Sequence, residues 1–140
     1  MERDTAQRRA IRETFTIAAR PLSHQEVLVE ARKRVGGMGI ATVYRTIKDL
    51  VDDGSLTPVD LPGQCARYEL AGLTHHHHFA CRTCERVFDL PGCTGHIHTH
   101  LPVGFIAEEH AVVVYGQCET CQKSVPPRTR SKTKNTSRRS

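Results

Sequence analysis

Between Thr5 and about Ala18, the apolar positions Ala6, Ile11, Phe15 and Ala18 fall on one stripe of a 3.6-residue period, which predicts a first amphipathic helix. Pro21 interrupts it. Ser23-His24-Gln25-Glu26 then reads as a capping box, in which serine and glutamate side chains each satisfy the other's backbone amide. A second helix opens there, turns Val27, Leu28 and Ala31 inward and ends before Gly36-Gly37. A third runs from about Ile40 to Asp53, with Val43, Ile47 and Leu50 inward and Gly54 as its stop. Leu56-Thr57-Pro58-Val59 and Arg67-Tyr68-Glu69-Leu70 flank the turn Leu61-Pro62-Gly63 and predict a two-stranded hairpin.

Three short helices followed by a hairpin is the winged-helix arrangement of the helix-turn-helix class, in which the third helix lies in the major groove of DNA. Its outward face here carries Thr42, Tyr44, Arg45 and Lys48. Arginine reaches guanine edges or phosphates, tyrosine a thymine methyl or a phosphate, and threonine suits either. Three-helix units also serve as dimerisation or protein-binding modules, so the pattern alone leaves both roles open.

Composition changes after residue 70. Residues 71–122 hold eight of the nine histidines and five of the six cysteines. Residues 123–140 are rich in Pro, Ser, Thr and basic groups, with little to bury, and read as a disordered basic tail. The net charge of +5 belongs to that tail, which carries seven Lys or Arg and no acid. Without it, 13 basic groups face 15 acidic ones, so the basic balance says nothing about DNA binding by the rest of the chain. No apolar run reaches the roughly 18 residues of a membrane span. The charged N-terminal residues lack a signal-peptide core, and a cytoplasmic location is expected. In that compartment cysteines serve as metal ligands or redox thiols rather than as a disulfide framework.

Cys81-x-x-Cys84 and Cys118-x-x-Cys121 are two matched pairs. Each pair converges two thiolates on one ion from a tight turn, and together they complete the closed tetrahedral shell that zinc favours in structural sites. Ahead of the first pair runs His75-His76-His77-His78. Side chains alternate along a strand, so His75 and His77 point one way and His76 and His78 the other, and one strand could feed two metal sites. Asp89, Cys93, His96, His98, His100 and His110 are further candidate ligands downstream, whereas His24 stands apart on the second helix and reads as a surface residue. A solvated histidine run is the plainer alternative.

Four motifs in order, Thr5-x-Gln7-Arg8-x-x-Ile11, Gly39-Ile40-Ala41-Thr42-Val43-Tyr44-Arg45, H-H-H-H-x-x-C-x-x-C and Tyr115-Gly116-x-Cys118-x-x-Cys121, resemble the ferric uptake regulator (Fur) family of bacterial metal-dependent repressors. The resemblance covers about residues 5–122. It implies an α+β fold: a winged-helix DNA-binding domain (residues 1–70), then a small α/β dimerisation domain with a four-cysteine zinc site (residues 71–122). It also implies a homodimer that binds operator DNA when loaded with metal. Cys81, Cys84, Cys118 and Cys121 match the structural zinc ligands. Glu69, His76, His78 and Asp89 match the sensing site at the hinge between domains. His75, His77 and His110 match a second site, where relatives often supply a glutamate near the position of His96. Tyr44 and Arg45 match DNA-contacting residues, and Arg8, Thr42 and Lys48 complete the expected contact set.

Two departures bear on the metal. Where iron- and peroxide-responsive members place a histidine before the second helix, this chain has Pro21, with His24 three residues too late. Cys65 and Cys93 bracket the sensing ligands and are expected in that site, and soft thiolate beside imidazole points to zinc. The expected function is therefore a zinc-responsive repressor of metal-homeostasis genes, not an enzyme, with structural zinc and a regulatory zinc or other divalent ion. Asp89 keeps an iron- or manganese-dependent peroxide sensor open, and an iron-sensing repressor of the same family is a further alternative. A zinc-storage or interaction protein without DNA binding is the rival from another class. A zinc hydrolase lacks both an H-E-x-x-H motif and a clearly placed general base.

Overall fold

Thr5 opens helix α1 (Ala6–Ala18), its hydroxyl accepting the Arg8 amide at 3.2 Å in a computed structural model that describes residues 5–93 and 100–124. Ala10, Ile11 and Phe15 face inward. The second helix, α2 (His24–Arg32), begins with the expected capping box: the Glu26 amide donates to Ser23 Oγ, and the Ser23 amide to Glu26 Oε1. Helix α3 (Ile40–Asp52) buries Val43, Ile47 and Leu50. Gly54, at φ +83°, ends it by returning its amide to Val51 while Ser55 returns to Leu50, a left-handed turn in which a side chain would be strained.

Leu22–Ser23 forms a short strand β1 that the sequence pattern does not reveal. It pairs antiparallel with β3 (Arg67–Leu70), which also pairs with β2 (Leu56–Val59). Helices and wing enclose one core of Ile11, Phe15, Leu22, Val27, Met38, Val43, Ile47, Leu50 and Leu56. The first and third helices and the hairpin strands thus stand within a residue or two of their anticipated limits, and the second helix stops at Arg32, ahead of Gly36-Gly37.

A second three-stranded sheet follows, in the order β5 (Val87–Pro91), β4 (His76–Cys81), β6 (Val113–Gly116). Strands β4 and β5 are antiparallel across the first Cys-x-x-Cys turn, while β6 lies parallel to β4. That parallel pairing brings Gly116 opposite Cys81, and the second cysteine pair beside the first. Helix α4 (Glu119–Ser124) then carries Cys121. It runs two residues past the point where the sequence suggests a tail, because Cys121 is anchored in the cluster. The rest of that expected tail lies outside the described residues. The apolar support here is thin: one group of Val59, Leu61, Ala80 and Val87, and one of the buried cysteines with Phe79 and Phe88.

Arg67, buried on β3, ties the two halves together. Its guanidinium donates to the Glu26 carboxylate on α2 and to the Glu85 carbonyl in the first cysteine turn. Glu26 also accepts from Arg20 at 2.7 Å. Burial opposes ionisation of Glu26, but Arg20, the Ser23 amide and Arg67 outweigh it and hold the carboxyl below its usual range. A group lowered in the native state adds stability that is present above the unfolded value and lost as pH falls through the native one. Glu26→Gln is therefore expected to cost about 1–3 kcal/mol at neutral pH in urea unfolding. Its deficit against the parent chain should shrink as pH falls through the lowered Glu26 value.

Candidate metal centres and recognition face

Four cysteines form the most enclosed cluster. Cys81 ends β4, Cys84 sits in the turn, Cys118 precedes α4 and Cys121 lies on it. The Cys81–Cys121 and Cys84–Cys118 sulfur separations are both 3.8 Å. Thiolates about 2.3 Å from a tetrahedral ion stand about 3.8 Å apart, so this spacing suits zinc without adjustment. Burial pushes Cys81 up, yet backbone amides of Cys84, Cys118 and Thr83 overcome it and bring the thiol to about 6. Burial, then the neighbouring sulfurs, push Cys121 up to about 12. Ionising all four sulfurs so close together is opposed by their mutual repulsion, and a divalent cation is the group that removes it.

A second cluster joins the two halves of the chain. Glu69 projects from β3, His76 and His78 from one face of β4, and Asp89 from β5 directly opposite His78. His76 Nε2 lies 3.0 Å from Glu69 and 3.5 Å from Asp89; His78 Nε2 lies 3.4 Å and 3.5 Å from the same two. Ligand nitrogens and oxygens about 2.0–2.1 Å from a tetrahedral ion stand about 3.3–3.4 Å apart. His76 Nδ1 donates to the Thr74 carbonyl at 2.7 Å, which aims Nε2 at the carboxylates as the nitrogen that would bind an ion. Burial and the Glu69 carboxylate push Asp89 up to about 6, against the pull of His76 and His78. Asp89 Oδ1 is also buried with no hydrogen-bond partner among the described residues. An ion between these side chains would satisfy that orphan and neutralise two adjacent acids.

The expected cysteines are not in this shell. Cys65 is exposed in the loop between β2 and β3, lining a groove with Tyr44, Lys48 and Tyr68. It belongs to none of the clusters, because the loop carries it away from the β3 face that bears Glu69. Cys93 belongs to a third cluster, with His75, His77 and His110, on the opposite face of β4. There His110 Nε2 lies 3.0 Å from His75 Nε2 and 3.1 Å from Cys93 Sγ. Strand alternation thus divides the histidine run between two centres as the sequence suggests. His96, expected as a ligand of the third cluster, and His98 lie outside the described residues.

On the outward face of α3, Tyr44, Arg45 and Lys48 are exposed and Thr42 is half-buried, with Arg45 Nη2 3.5 Å from Thr42 Oγ1. Arg8 does not share that face. It is 7% exposed, and its guanidinium lies 3.5 Å from both Asp49 and Asp53, fastening α1 to the end of α3. Reaching DNA would require Arg8 to leave both carboxylates. His24 is likewise no bystander. Its ring stacks on Tyr44 with centroids 3.8 Å apart and meets Tyr68 edge-on at 5.1 Å, holding the tyrosine of α3 against the wing. A lone histidine on α2 gives no sequence signal of this contact, which joins three separate elements.

The model of the ferric uptake regulator family matches residues 2–115. The chain is 35% identical over 89 residues to the ferric uptake regulation protein of Bordetella parapertussis, spanning 61% of this chain and 64% of that one, a little under two thirds of the relative's length. To the ferric uptake regulation protein of Cupriavidus metallidurans it is 32% identical over 118 residues, covering 81% of this chain and 82% of that one. Among solved structures it resembles a zinc-bound manganese uptake regulator at 26% identity, with a TM-score of 0.71 over 84% of this chain and 91% of the other.

Proposed function

Since the chain belongs to the ferric uptake regulator family, we propose that it is a homodimeric transcriptional repressor that binds operator DNA when an ion occupies the Glu69–His76–His78–Asp89 cluster. Members of this family are metal-responsive transcriptional regulators. The position of that cluster carries the proposal. Glu69 belongs to the wing and the other three side chains to the second sheet, so one ion held by all four sets the angle between the halves. In a dimer this angle decides whether two α3 helices stand one groove repeat apart, about 34–36 Å. Tyr44, Arg45, Lys48 and Thr42 then meet the DNA, and the four-cysteine cluster holds structural zinc.

Support for a dimer comes from the second half. Val103, Phe105 and Ile106 are strongly exposed and Leu101 partly so, alongside Val114 and Tyr115 on β6. Such a run of exposed apolar side chains is characteristic of an interaction surface. No helix among the described residues is long and apolar enough to cross a membrane.

Zinc as the metal to which the chain responds, controlling metal-homeostasis genes, has its support outside the hinge cluster, in the sulfur of Cys93 beside the three imidazoles of the third cluster. A second reading, iron(II) or manganese(II), is supported by the hinge cluster, whose two imidazoles and two carboxylates include no sulfur. Titration of zinc, iron(II), manganese(II) and nickel(II) against binding to the chain's own promoter DNA tests both. Tight binding switched on by one of these metals is the expected result. Equal binding with and without every metal would reject the repressor reading and leave a storage or interaction role.

A further inference from the structure

The first turn of α2 is held from two directions. Leu22 and Ser23 pair with Tyr68 and Arg67 of β3, and the Ser23–Glu26 capping box closes the turn itself. His24 is the first residue of the helix, so its backbone follows a paired strand and lies inside a helical cap. From this rigid platform its ring lies against Tyr44 of α3, with centroids 3.8 Å apart and planes 8° from parallel. Tyr68 of β3 meets the same imidazole edge-on, at 5.1 Å and 73°. The three rings link the wing to the outward face of α3 and line one groove with Arg45 and Lys48. Tyr44 itself is 53% exposed. An exposed side chain that takes up one orientation on binding loses rotamer freedom, which lowers affinity by roughly 2- to 12-fold. A stacked partner that fixes the ring beforehand removes that cost, and aromatic pairs attract beyond the area they bury.

We propose that His24 is a positioning residue for DNA recognition: its ring holds Tyr44 in the orientation in which that tyrosine meets the operator. The proposal rests on the regulator reading, because His24 acts on DNA only through Tyr44. A histidine that served the DNA directly would do so most strongly as a cation paired with a phosphate. Burial instead holds the imidazole of His24 below its ordinary value, so at neutral pH the ring is uncharged. The stack therefore contributes geometry to the recognition face and no additional positive charge.

A double-mutant cycle tests this on the full-length chain and its own promoter DNA. The protein is loaded with whichever of zinc, iron(II), manganese(II) and nickel(II) switches on binding. Affinity is measured over a range of salt concentrations for the parent, His24→Ala, His24→Phe, Tyr44→Ala and the double variant. Melting temperature and metal content check that each variant is folded and loaded. His24→Ala is expected to bind roughly 2- to 12-fold more weakly, the cost of ordering one side chain on the DNA. Its slope of log affinity against log salt should match the parent's, because no phosphate contact is lost. His24→Phe keeps a flat ring against Tyr44 and should stay near the parent. Once Tyr44 is gone the imidazole has nothing to hold, so the double variant should bind no more weakly than Tyr44→Ala. In the free protein, NMR should show the Tyr44 ring protons shifted by the imidazole ring current, and His24→Ala should abolish that shift. Additive losses in the cycle, parent-like binding by His24→Ala or an unshifted Tyr44 ring in the parent each overturn the proposal. A salt slope reduced by about one in His24→Ala and His24→Phe alike also overturns it, as the mark of a direct phosphate contact. A parent chain that binds its promoter with none of these metals rejects the regulator reading and takes the proposal with it, even with the Tyr44 shift present.

Discussion

Cys118→Ser is expected to release the structural ion and to lower the melting temperature by roughly 10–20 °C, the shift that a loss of about 4 kcal/mol produces in a domain of this size. The size of the effect follows from how little else supports the second sheet. Its apolar groups are small, and three of the four sulfurs that link β4, the following turn and α4 are buried in the cluster itself. The damage should also be local. Amide exchange is expected to lose protection along β4, β6 and α4, while α1, α2 and α3 keep theirs around a core that contains no cysteine. Parent-like zinc content and melting in the variant would show that the cluster is not a structural metal site.

Glu69→Ala is expected to uncouple metal from DNA. Metal and operator each tighten the other's binding by one common factor, typically about 5- to 150-fold. Glu69 is the ligand that the wing contributes, so its removal leaves His76, His78 and Asp89 able to hold an ion that no longer reaches the DNA-binding half. Operator affinity should then be nearly the same with and without metal, while the structural zinc and the dimer persist. His78→Ala removes a ligand from the other side of the hinge and should weaken metal binding first, with DNA binding recovered at higher metal concentration. A Glu69→Ala chain that kept its full metal response would show that the hinge ion does not set the domain angle.

These expectations draw unequally on sequence and fold. Helical periodicity, the Ser23–Glu26 capping box and the Gly54 stop were sufficient to locate the first three helices, because each depends on residues within about four positions of one another. Alternation along a strand likewise divided the four consecutive histidines into two facing sets, and the matched Cys-x-x-Cys pairs announced a closed metal shell. All of that is local chemistry written in spacing.

Contacts between distant segments were decided by tertiary structure alone. Cys65 and Cys93 look equivalent in sequence as flanks of the sensing ligands, yet the β2–β3 loop carries one away from the hinge cluster and the end of β5 carries the other to the opposite face of β4. Arg8 sits in a family-like motif, but packing of α1 on α3 aims it at Asp49 and Asp53. His24 gains its place only when α2, α3 and the wing assemble around Tyr44. Periodicity reports which face of an element is buried, and spacing reports which donors one element can offer. Which donors from different elements meet depends on the packing of those elements: the parallel placement of β6 beside β4 unites the two cysteine pairs, and the approach of β3 to the β4–β5 pair assembles the hinge cluster.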